Sequence, residues 1–410
     1  MTGPDFLSAA YAEDPYAHYA TMRAHHPLYV HPATGYHVVS RHVDVVRALK
    51  GPPFTNECYA WQAEPVMGGR TIVQMDGAEH AGYRRLLGTP LRGPDHHERV
   101  VPEIARISTQ LIDGFRRDGR VDLMDRYARW LPINLMAALL DLPERDRPRF
   151  QGWYHALIAF MSNLAADPDV AAAGLAARAD MTAFLRPLIA RRRAAPGDDV
   201  LSALCTARFD GRPLTEEQIQ AHCSTLVSAG GDTTVSGIAN TVAQLLLHPE
   251  HLDAVRDDPG LVDRMHIEAI RLRPPAHLIL RYAAEDVELS GGVVPAGATV
   301  ACMIGAANRD PDRFTRPDAF DPYRAELDPA QAFTPGGATV TFGRGRHFCL
   351  GANLARTTVA VAIGQLLREL PDLRLADGAE LREVGFVTRR LAALDLAFTP
   401  AAGTDGTDLA

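Results

Sequence analysis

The stretch Phe342-Gly343-Arg344-Gly345-Arg346-His347-Phe348-Cys349-Leu350-Gly351 places one cysteine in a loop rich in glycine and arginine, just before an apolar helical pattern. A thiolate is the form of cysteine that binds metal, and nearby cations and a helix N-terminus both lower the pKa of a thiol. Glycines allow a tight turn and let a large flat group approach the backbone. The loop therefore predicts a metal-binding thiolate at Cys349. The alternative is a buried structural cysteine, the usual role of a lone cysteine.

The composition is that of a globular chain with ample material for a large core. Of its 410 residues 47% are hydrophobic and 22% are charged. Arginine carries nearly all the positive charge, because Lys50 is the only lysine. The net charge of -8 gives no support to nucleic-acid binding or to an anionic membrane surface as partner.

The five cysteines are odd in number and have no C-x-x-C spacing, which argues against a disulfide framework or a zinc site. The N-terminus lacks the pattern of a signal peptide, and no apolar run approaches the ~20 residues of a membrane span. We therefore expect a cytoplasmic protein. The pattern assigns no role to the four other cysteines, Cys58, Cys205, Cys223 and Cys302.

The pattern of apolar residues predicts one α+β domain, mostly α, over 1–400, followed by a flexible tail at 401–410. Stripes with a period of 3.6 residues predict helices through most of 79–251, and alternating segments predict strands near both ends of the chain. The segment 51–71, rich in Pro and Gly, is expected to be a long loop. The segment 390–398 is expected to be one strand.

The longest predicted helix begins with a capping box at Thr215 and Gln218 and continues to about His248. Two adjacent glycines in its middle cost about 1 kcal/mol each in a helix, so they need a reason. A flat cofactor lying against a surface free of side chains is one. A threonine hydroxyl that bonds back to a carbonyl one turn earlier can also bend or open the helix there. The following pair, Asp232 and Thr233, predicts a proton relay, because an acid next to a hydroxyl can deliver protons. The alternative is a glycine-mediated helix crossing with a solvated aspartate.

Glu268 and Arg271 are three residues apart and therefore share one helix face. The apolar residues around them predict a buried ion pair with a structural role, whereas the alternative is a weak surface pair.

Four motifs resemble those of the cytochrome P-450 superfamily, the haem-thiolate monooxygenases. They are F-G-x-G-x-H-x-C-x-G at 342–351, A-G-x-[DE]-T-[TS] at 229–234, E-x-x-R at 268–271 and F-x-P-x-R at 320–324. The resemblance covers nearly the whole chain and is to soluble bacterial members. It implies a haem buried between the central helix and the cysteine loop. It also makes Cys349 the axial ligand of the iron and Arg324 the third member of the Glu268 pair.

The resemblance also implies roles for further residues. Asp232 and Thr233 would deliver protons during dioxygen activation. The haem propionates would be held by His80, Arg84, Arg281 and His347. The remaining residues implied to lie against the haem are Gly230, Phe342, Gly343 and Gly351.

A substrate pocket is implied above the haem, with helices between roughly 150 and 190 as its roof and lid. Its walls would include Trp61, Ile72, Thr225, Ser228, Ala229, Ala276, His277, Ile279 and Phe386. The hydroxyls and His277 are polar for such a pocket, which favours a substrate with some oxygen atoms.

The implied reaction inserts one oxygen atom of dioxygen into an unactivated C–H bond of an apolar small molecule, by hydroxylation or epoxidation, with secondary-metabolite biosynthesis as the setting. The implied cofactor is haem b, and electrons would come from NAD(P)H through ferredoxin reductase and a ferredoxin docking near Arg344 and Arg346. A monomer is expected. Two alternatives stay open: the same haem fold in peroxide-driven oxidation or oxidative coupling, and a haem-binding protein without catalysis.

Overall fold

The computed structural model describes residues 3–92, 96–163 and 166–401, and helices dominate them. Their positions largely follow the apolar periodicity of the sequence. In the described residues the α-helices are α1 Ala9–Glu13, α2 Pro15–His25, α3 His42–Lys50, α4 Ala60–Met67, α5 Gly77–Arg92, α6 His96–Asp113, α7 Trp130–Leu139, α8 Arg147–Met161, α9 Pro168–Ala194, α10 Val200–Thr206, α11 Glu216–Gly230, α12 Asp232–Leu247, α13 Pro249–Asp257, α14 Val262–Leu272, α15 Ile304–Ala307 and α16 Ala352–Glu369.

The strands are short and lie mainly near the two ends of the chain, as the alternating segments predict. In the described residues they are β1 Leu28–Val30, β2 His37–Val39, β3 Phe54–Thr55, β4 Arg120–Asp122, β5 Arg208–Phe209, β6 Arg212–Pro213, β7 Leu278–Ala283, β8 Val287–Leu289, β9 Gly292–Val294, β10 Thr299–Met303, β11 Arg374–Leu375, β12 Glu383–Gly385, β13 Arg389–Leu391 and β14 Asp395–Ala397.

The largest sheet has the strand order β1-β2-β10-β7-β3, in which β2 and β10 are parallel and the other pairs are antiparallel. A second sheet has the order β11-β14-β4, and three two-stranded pairs complete the strands of the described residues. Mostly helical architecture with small sheets confirms the α+β class.

The single strand expected at 390–398 is wrong. β13 pairs with β12, whereas β14 pairs with β11 and β4 in another sheet. Between them the Leu394 N–H donates to the Asp122 carboxylate at 2.9 Å. The apolar run continues across this turn, so its pattern could not reveal the break.

The long loop expected at 51–71 is also wrong, because it contains α4. The helix ends at Gly68 in the left-handed conformation, and the Gly68 N–H donates to the Glu64 carbonyl at 3.0 Å. Val66 and Met67 are buried. Burial of this apolar face stabilises the helix despite Pro65 in its interior, which a reading of local preferences alone counts as a break.

Helix α12 lies at the centre of the core. All twelve residues from 234 to 245 are buried, and the helix packs against α14 and α16. The site described below lies where α12 begins and where the loop before α16 ends.

The domain boundary and the tail remain predictions. Residue 401 donates its N–H to the Arg116 carbonyl at 2.9 Å, and the rest of the expected tail lies outside the described residues. Among the helices of the described residues, none combines the length and the apolar character needed to cross a membrane.

Candidate active site

The cysteine loop is a tight turn that depends on a backbone hydrogen bond and on glycines. The Cys349 N–H donates to the Phe342 carbonyl at 2.8 Å, which closes the loop. Gly343 and Gly345 have φ of 74° and 61°, in the left-handed region that glycine tolerates best. A Cβ at Gly345 would overlap the backbone carbonyl of Lys50. The glycines therefore let the loop pack against the end of α3.

Cys349 is followed at once by the N-terminus of a helix. α16 begins at Ala352 with Gly351 as its N-cap, so the dipole of α16 favours a negative charge near the cysteine. A Cβ at Gly351 would lie 4.0 Å from the Cys349 Sγ, with no nearer protein atom beside it. The absence of a side chain at Gly351 thus leaves room at this point of the loop for a bulky ligand.

The other cysteines differ from Cys349 in burial, since all four are buried and Cys349 is half-buried. Burial raises the pKa of the Cys58 and Cys302 thiols to about 12, and it also raises the pKa of the Cys205 and Cys223 thiols. These four are neutral core groups at neutral pH. Exposure therefore singles out the same cysteine as the loop motif does.

Basic side chains from three separate elements gather near the loop. The His80 ring from α5 lies 4.2 Å from the His347 ring, measured between centroids. Burial lowers the pKa of His347 to about 4, with further lowering by His80 and Arg281 and opposition from the acid Asp76. Burial also lowers the pKa of His80, with Arg84 as the next cause. Neighbouring basic groups lower the pKa of each other. A bound dianion would oppose this effect and stabilise their protonated forms.

Asp76 links this cluster to the loop, a role that the sequence analysis missed. Its Oδ1 accepts from the Arg346 Nη1 at 3.0 Å and lies 3.2 Å from the His347 Nε2. A lone acid before α5 gave no sequence signal for this contact, because its partners are about 270 residues away.

Arg344, one of the two arginines near which a ferredoxin is expected to dock, does not lie at the surface. It is buried and donates to the carbonyls of Pro335 and Ala338 at 2.7 and 3.2 Å. Arg346 is engaged with Asp76. Arg344 is therefore not available for direct contact with a partner, whereas the Arg346 side chain is 33% exposed, and docking of a ferredoxin near this loop stays a prediction.

Buried ion pairs stand behind the loop. Glu268 Oε2 accepts from the Arg271 Nε at 2.6 Å, and its Oε1 accepts from the Arg324 Nη2 at 2.9 Å. All three side chains are almost fully buried. Arg271 also donates to the Asn308 carbonyl at 2.7 Å, and the Asn308 side chain accepts from the Val340 N–H at 2.9 Å. The network thus reaches the backbone two residues before Phe342, which accounts for a structural role.

The central helix is broken where the acid and the threonine lie. α11 ends at Gly230, Gly231 has φ −80° and ψ −106°, and α12 begins at Asp232. The Thr233 hydroxyl donates across the break to the Ala229 carbonyl at 3.2 Å. The helix expected from Thr215 to about His248 is thus present in two parts, and the break lies where a threonine back-bond was expected to bend or open it. The expected back-bond from a threonine is present, as is the capping box of Thr215 and Gln218.

The packing of neighbouring helices supplies a further reason for the two glycines, one that the sequence did not suggest. A Cβ at Gly230 would lie 2.7 Å from the Met136 Cγ, and a Cβ at Gly231 would overlap the Tyr154 ring. Both glycines therefore make room for side chains of α7 and α8. The expected contact of Gly230 with a haem stays a prediction.

The residues expected in the pocket fall into two groups. Ala229 and Trp61 are exposed, and five others are half-buried, which suits residues that line a cavity: Ile72, Thr225, Ala276, Ile279 and Phe386. Ser228 is buried and its hydroxyl donates to the Thr225 carbonyl at 3.1 Å. Phe386 packs against Phe6, with 5.7 Å between the ring centroids.

His277 does not line a cavity, contrary to expectation. It is buried, and its Nδ1 lies 2.5 Å from the hydroxyl of Tyr19 on α2. Burial holds the pKa of His277 well below its usual value. Its polarity therefore gives no indication of an oxygen-bearing substrate.

A half-buried cysteine at a helix N-terminus, a cluster of basic side chains and a broken helix that carries an acid and a hydroxyl are together typical of the haem-thiolate class. The comparisons with known proteins agree. The family model described as Cytochrome P-450 matches residues 33–259 and 260–371.

Similarity to individual proteins extends over nearly the whole chain. Pulcherriminic acid synthase of Bacillus subtilis (strain 168) is 30% identical over 393 residues, which cover 96% of this chain and 97% of that protein. Vitamin D(3) 25-hydroxylase of Pseudonocardia autotrophica is 33% identical over 386 residues, covering 92% and 91%. The crystal structure of CalO2 matches with a TM-score of 0.86 at 29% identity, covering 98% of this chain and 100% of that one. The chain belongs to the cytochrome P-450 family.

This family membership makes the chain a cytochrome P-450 monooxygenase that uses haem, dioxygen and electrons from redox partner proteins. The donor set described above suits a haem. Cys349 would supply the thiolate, and His80, Arg84, Arg281 and His347 the countercharges for two carboxylates. A Cβ at Gly343 or at Gly351 would meet no protein atom closer than 3.5 Å outside the neighbouring residues, so contact of both glycines with a haem stays a prediction.

Proposed function

We propose that this enzyme inserts one oxygen atom into an unactivated C–H bond of an apolar small molecule, by hydroxylation or epoxidation, in secondary-metabolite biosynthesis. The cofactor is haem b, bound through Cys349. Electrons come from NAD(P)H through a ferredoxin reductase and a ferredoxin, and the enzyme acts as a monomer. A relative named as a vitamin D(3) 25-hydroxylase supports hydroxylation.

The observation that carries the proposal is the Asp232–Thr233 pair at the helix break. Haem supplies the activation of dioxygen, and a thiolate ligand favours O–O cleavage. Proton delivery is left to this chain. The Thr233 hydroxyl donates its hydrogen to the Ala229 carbonyl, so the lone pairs of its oxygen can accept a hydrogen bond from another donor. Asp232, half-buried in the first turn of α12, can hold or release a proton one residue away.

The walls of the pocket support an apolar substrate. The half-buried Ile72, Ala276 and Ile279 offer apolar surface, and the buried Ser228 hydroxyl is satisfied within its own helix. Such a site selects by shape and apolar area rather than by paired charges.

The first test is the reduced, carbon-monoxide-bound spectrum. A thiolate-type Soret band is expected, and a band where histidine-ligated haem absorbs would remove the Cys349 assignment. Candidate substrates are then screened for a low-spin to high-spin shift of the ferric haem.

The reaction type is tested with isotopically labelled dioxygen. One labelled oxygen atom in the product supports monooxygenation. A coupled product without label, or turnover supported only by added peroxide, would favour the alternative reaction of the same fold. A haem-binding protein without catalysis would bind the screen compounds and give no product.

A further inference from the structure

Tyr154 on α8 contacts the break between α11 and α12, and no motif of the sequence predicted this contact. Its side chain is buried, and its hydroxyl oxygen accepts from the Asp232 N–H at 2.5 Å. The first N–H groups of a helix have no partner within the helix. Tyr154 therefore supplies an acceptor for the first residue of α12.

The ring of Tyr154 fits the break as well as the hydroxyl does. A Cβ at Gly231 would overlap the ring, so the glycine and the tyrosine are complementary in shape. Burial raises the pKa of the Tyr154 hydroxyl well above its usual value, and the charge of Asp232 raises it further. The hydroxyl thus stays protonated at neutral pH beside the Asp232 carboxylate.

α8 is in turn tied to the other elements expected to cover the substrate. Trp153, the neighbour of Tyr154, donates its indole N–H to the Asp180 carboxylate of α9 at 2.8 Å. At the end of α8, the Gln62 side chain of α4 donates to the Met161 carbonyl. Two consecutive residues of α8 therefore contact different helices: Trp153 contacts the expected roof helix α9, and Tyr154 contacts α12.

We propose that Tyr154 is a positioning residue that couples the roof helices to the proton relay by holding the first turn of α12 and the Asp232 side chain in place. The coupling rests on the proposed function, since only a relay at Asp232 makes its position matter to the reaction. A shift of α8 on substrate binding would be transmitted to Asp232 through one hydroxyl and one ring contact.

The test compares Tyr154→Phe with Tyr127→Phe in the haem-loaded enzyme. Tyr127 is an apt control because it is also fully buried and its hydroxyl makes one hydrogen bond, to the Ser108 hydroxyl at 2.7 Å. The first readout is amide hydrogen exchange without substrate. In Tyr154→Phe, exchange in peptides spanning 229–236 should rise up to about tenfold, the effect of losing one hydrogen bond. Tyr127→Phe should leave these peptides unchanged.

The second readout separates positioning from stability. In Tyr154→Phe, product formed per NAD(P)H should fall severalfold and peroxide should rise, while the substrate affinity read from the spin shift stays constant. In the background of Asp232→Asn the same change should add little, because both act on one group. Gly231→Ala, which displaces the ring from the other side, should reproduce the loss of coupling.

Unchanged exchange at 229–236 in Tyr154→Phe would overturn the proposal, as would raised exchange with unaltered coupling. Equal effects of both tyrosine variants would also overturn it. Failure of the proposed function looks different: the wild-type enzyme would then lack the thiolate spectrum or the labelled product, whatever the exchange data show.

Discussion

The two sides of the active site are held in different ways. The cysteine loop is fixed by its own backbone, by glycines in the left-handed region and by a fully buried network centred on Glu268. The proposed relay at Asp232 lies at a break in a helix, where the Asp232 N–H donates to the hydroxyl of Tyr154 on α8. The ligand side is thus strongly constrained, whereas the relay side is tied to the helices expected to cover the substrate.

Replacing Cys349 should have the largest effect on this comparison. In Cys349→Ser the thiolate is lost, so we expect the thiolate-type carbon-monoxide spectrum and product formation to disappear. Cys302→Ser is the control, since Cys302 is a neutral core thiol. Retention of the thiolate spectrum in Cys349→Ser would assign the ligand to another residue.

Glu268→Gln tests whether the buried network fixes the loop. Two arginines would lose their buried countercharge, so the free energy of unfolding should drop by about 3–5 kcal/mol. Denaturant titration measures this, together with haem retention. The control is Asp263→Asn, which removes a partly exposed pair with Arg356 and should cost under about 1 kcal/mol. Similar losses in both variants would contradict the special role of the network.

Gly345→Ala probes the backbone of the loop directly. A left-handed φ costs about 1–2 kcal/mol for alanine, and the overlap with the Lys50 carbonyl adds to it. We expect a stability loss of about 2 kcal/mol or more, with weaker haem binding. Gly35→Ala is matched in φ, at 71°, but has open space around its Cβ. It should show the backbone cost alone and full haem content.

Thr233→Ala probes the relay side. Stability and the spectrum should stay near wild type, while product per NAD(P)H falls about tenfold, equivalent to about 1.4 kcal/mol in a rate. Peroxide released per NAD(P)H is the second measurement. Thr21→Ala is the control, because Thr21 makes a similar bond to a carbonyl one turn earlier, at 3.3 Å on α2. Unchanged coupling in Thr233→Ala would remove the relay role.

Replacing His222, which lies on the buried face of α11, should give the smallest effect, a change in how stability depends on pH. Burial lowers its pKa from 6.5 to about 4. Below pH 6.5 the unfolded chain binds a proton that the folded chain rejects, so stability is lost as the pH falls from 6.5 towards 4. In His222→Leu this loss should be shallower by up to about 1.4 kcal/mol per pH unit. Denaturant titrations at pH 7.5, 6 and 5 check this, and parallel slopes would contradict it.

Local chemistry explains which parts of the fold were predictable. The capping box at Thr215 and the 3.6-residue stripes are short-range signals, and the helices followed them. α4 was missed because its stability comes from burial of Val66 and Met67, which local turn preferences do not report. An opening of the helix near Gly231 was expected from the threonine back-bond, but the ring that packs there was missed because it belongs to another helix.

The same division applies to the site. Motif spacing singled out Cys349, Asp232 and Thr233, and it paired Glu268 with Arg271 because residues three apart share a helix face. Asp76 and Tyr154 emerged only from the fold, because each contacts residues that are far away in the chain. His277 was misplaced, since its contact with Tyr19 spans 258 residues.

By itself the sequence determined the fold class, the candidate ligand and the acid–hydroxyl pair, because these depend on residue type and spacing within one or two helical turns. Only the tertiary structure decided what holds those groups. The reason is physical: burial, desolvation and hydrogen-bond partners are set by residues brought together from distant segments. The identity of the reactive groups therefore depends on local sequence, whereas their positions depend on the packing of the whole chain.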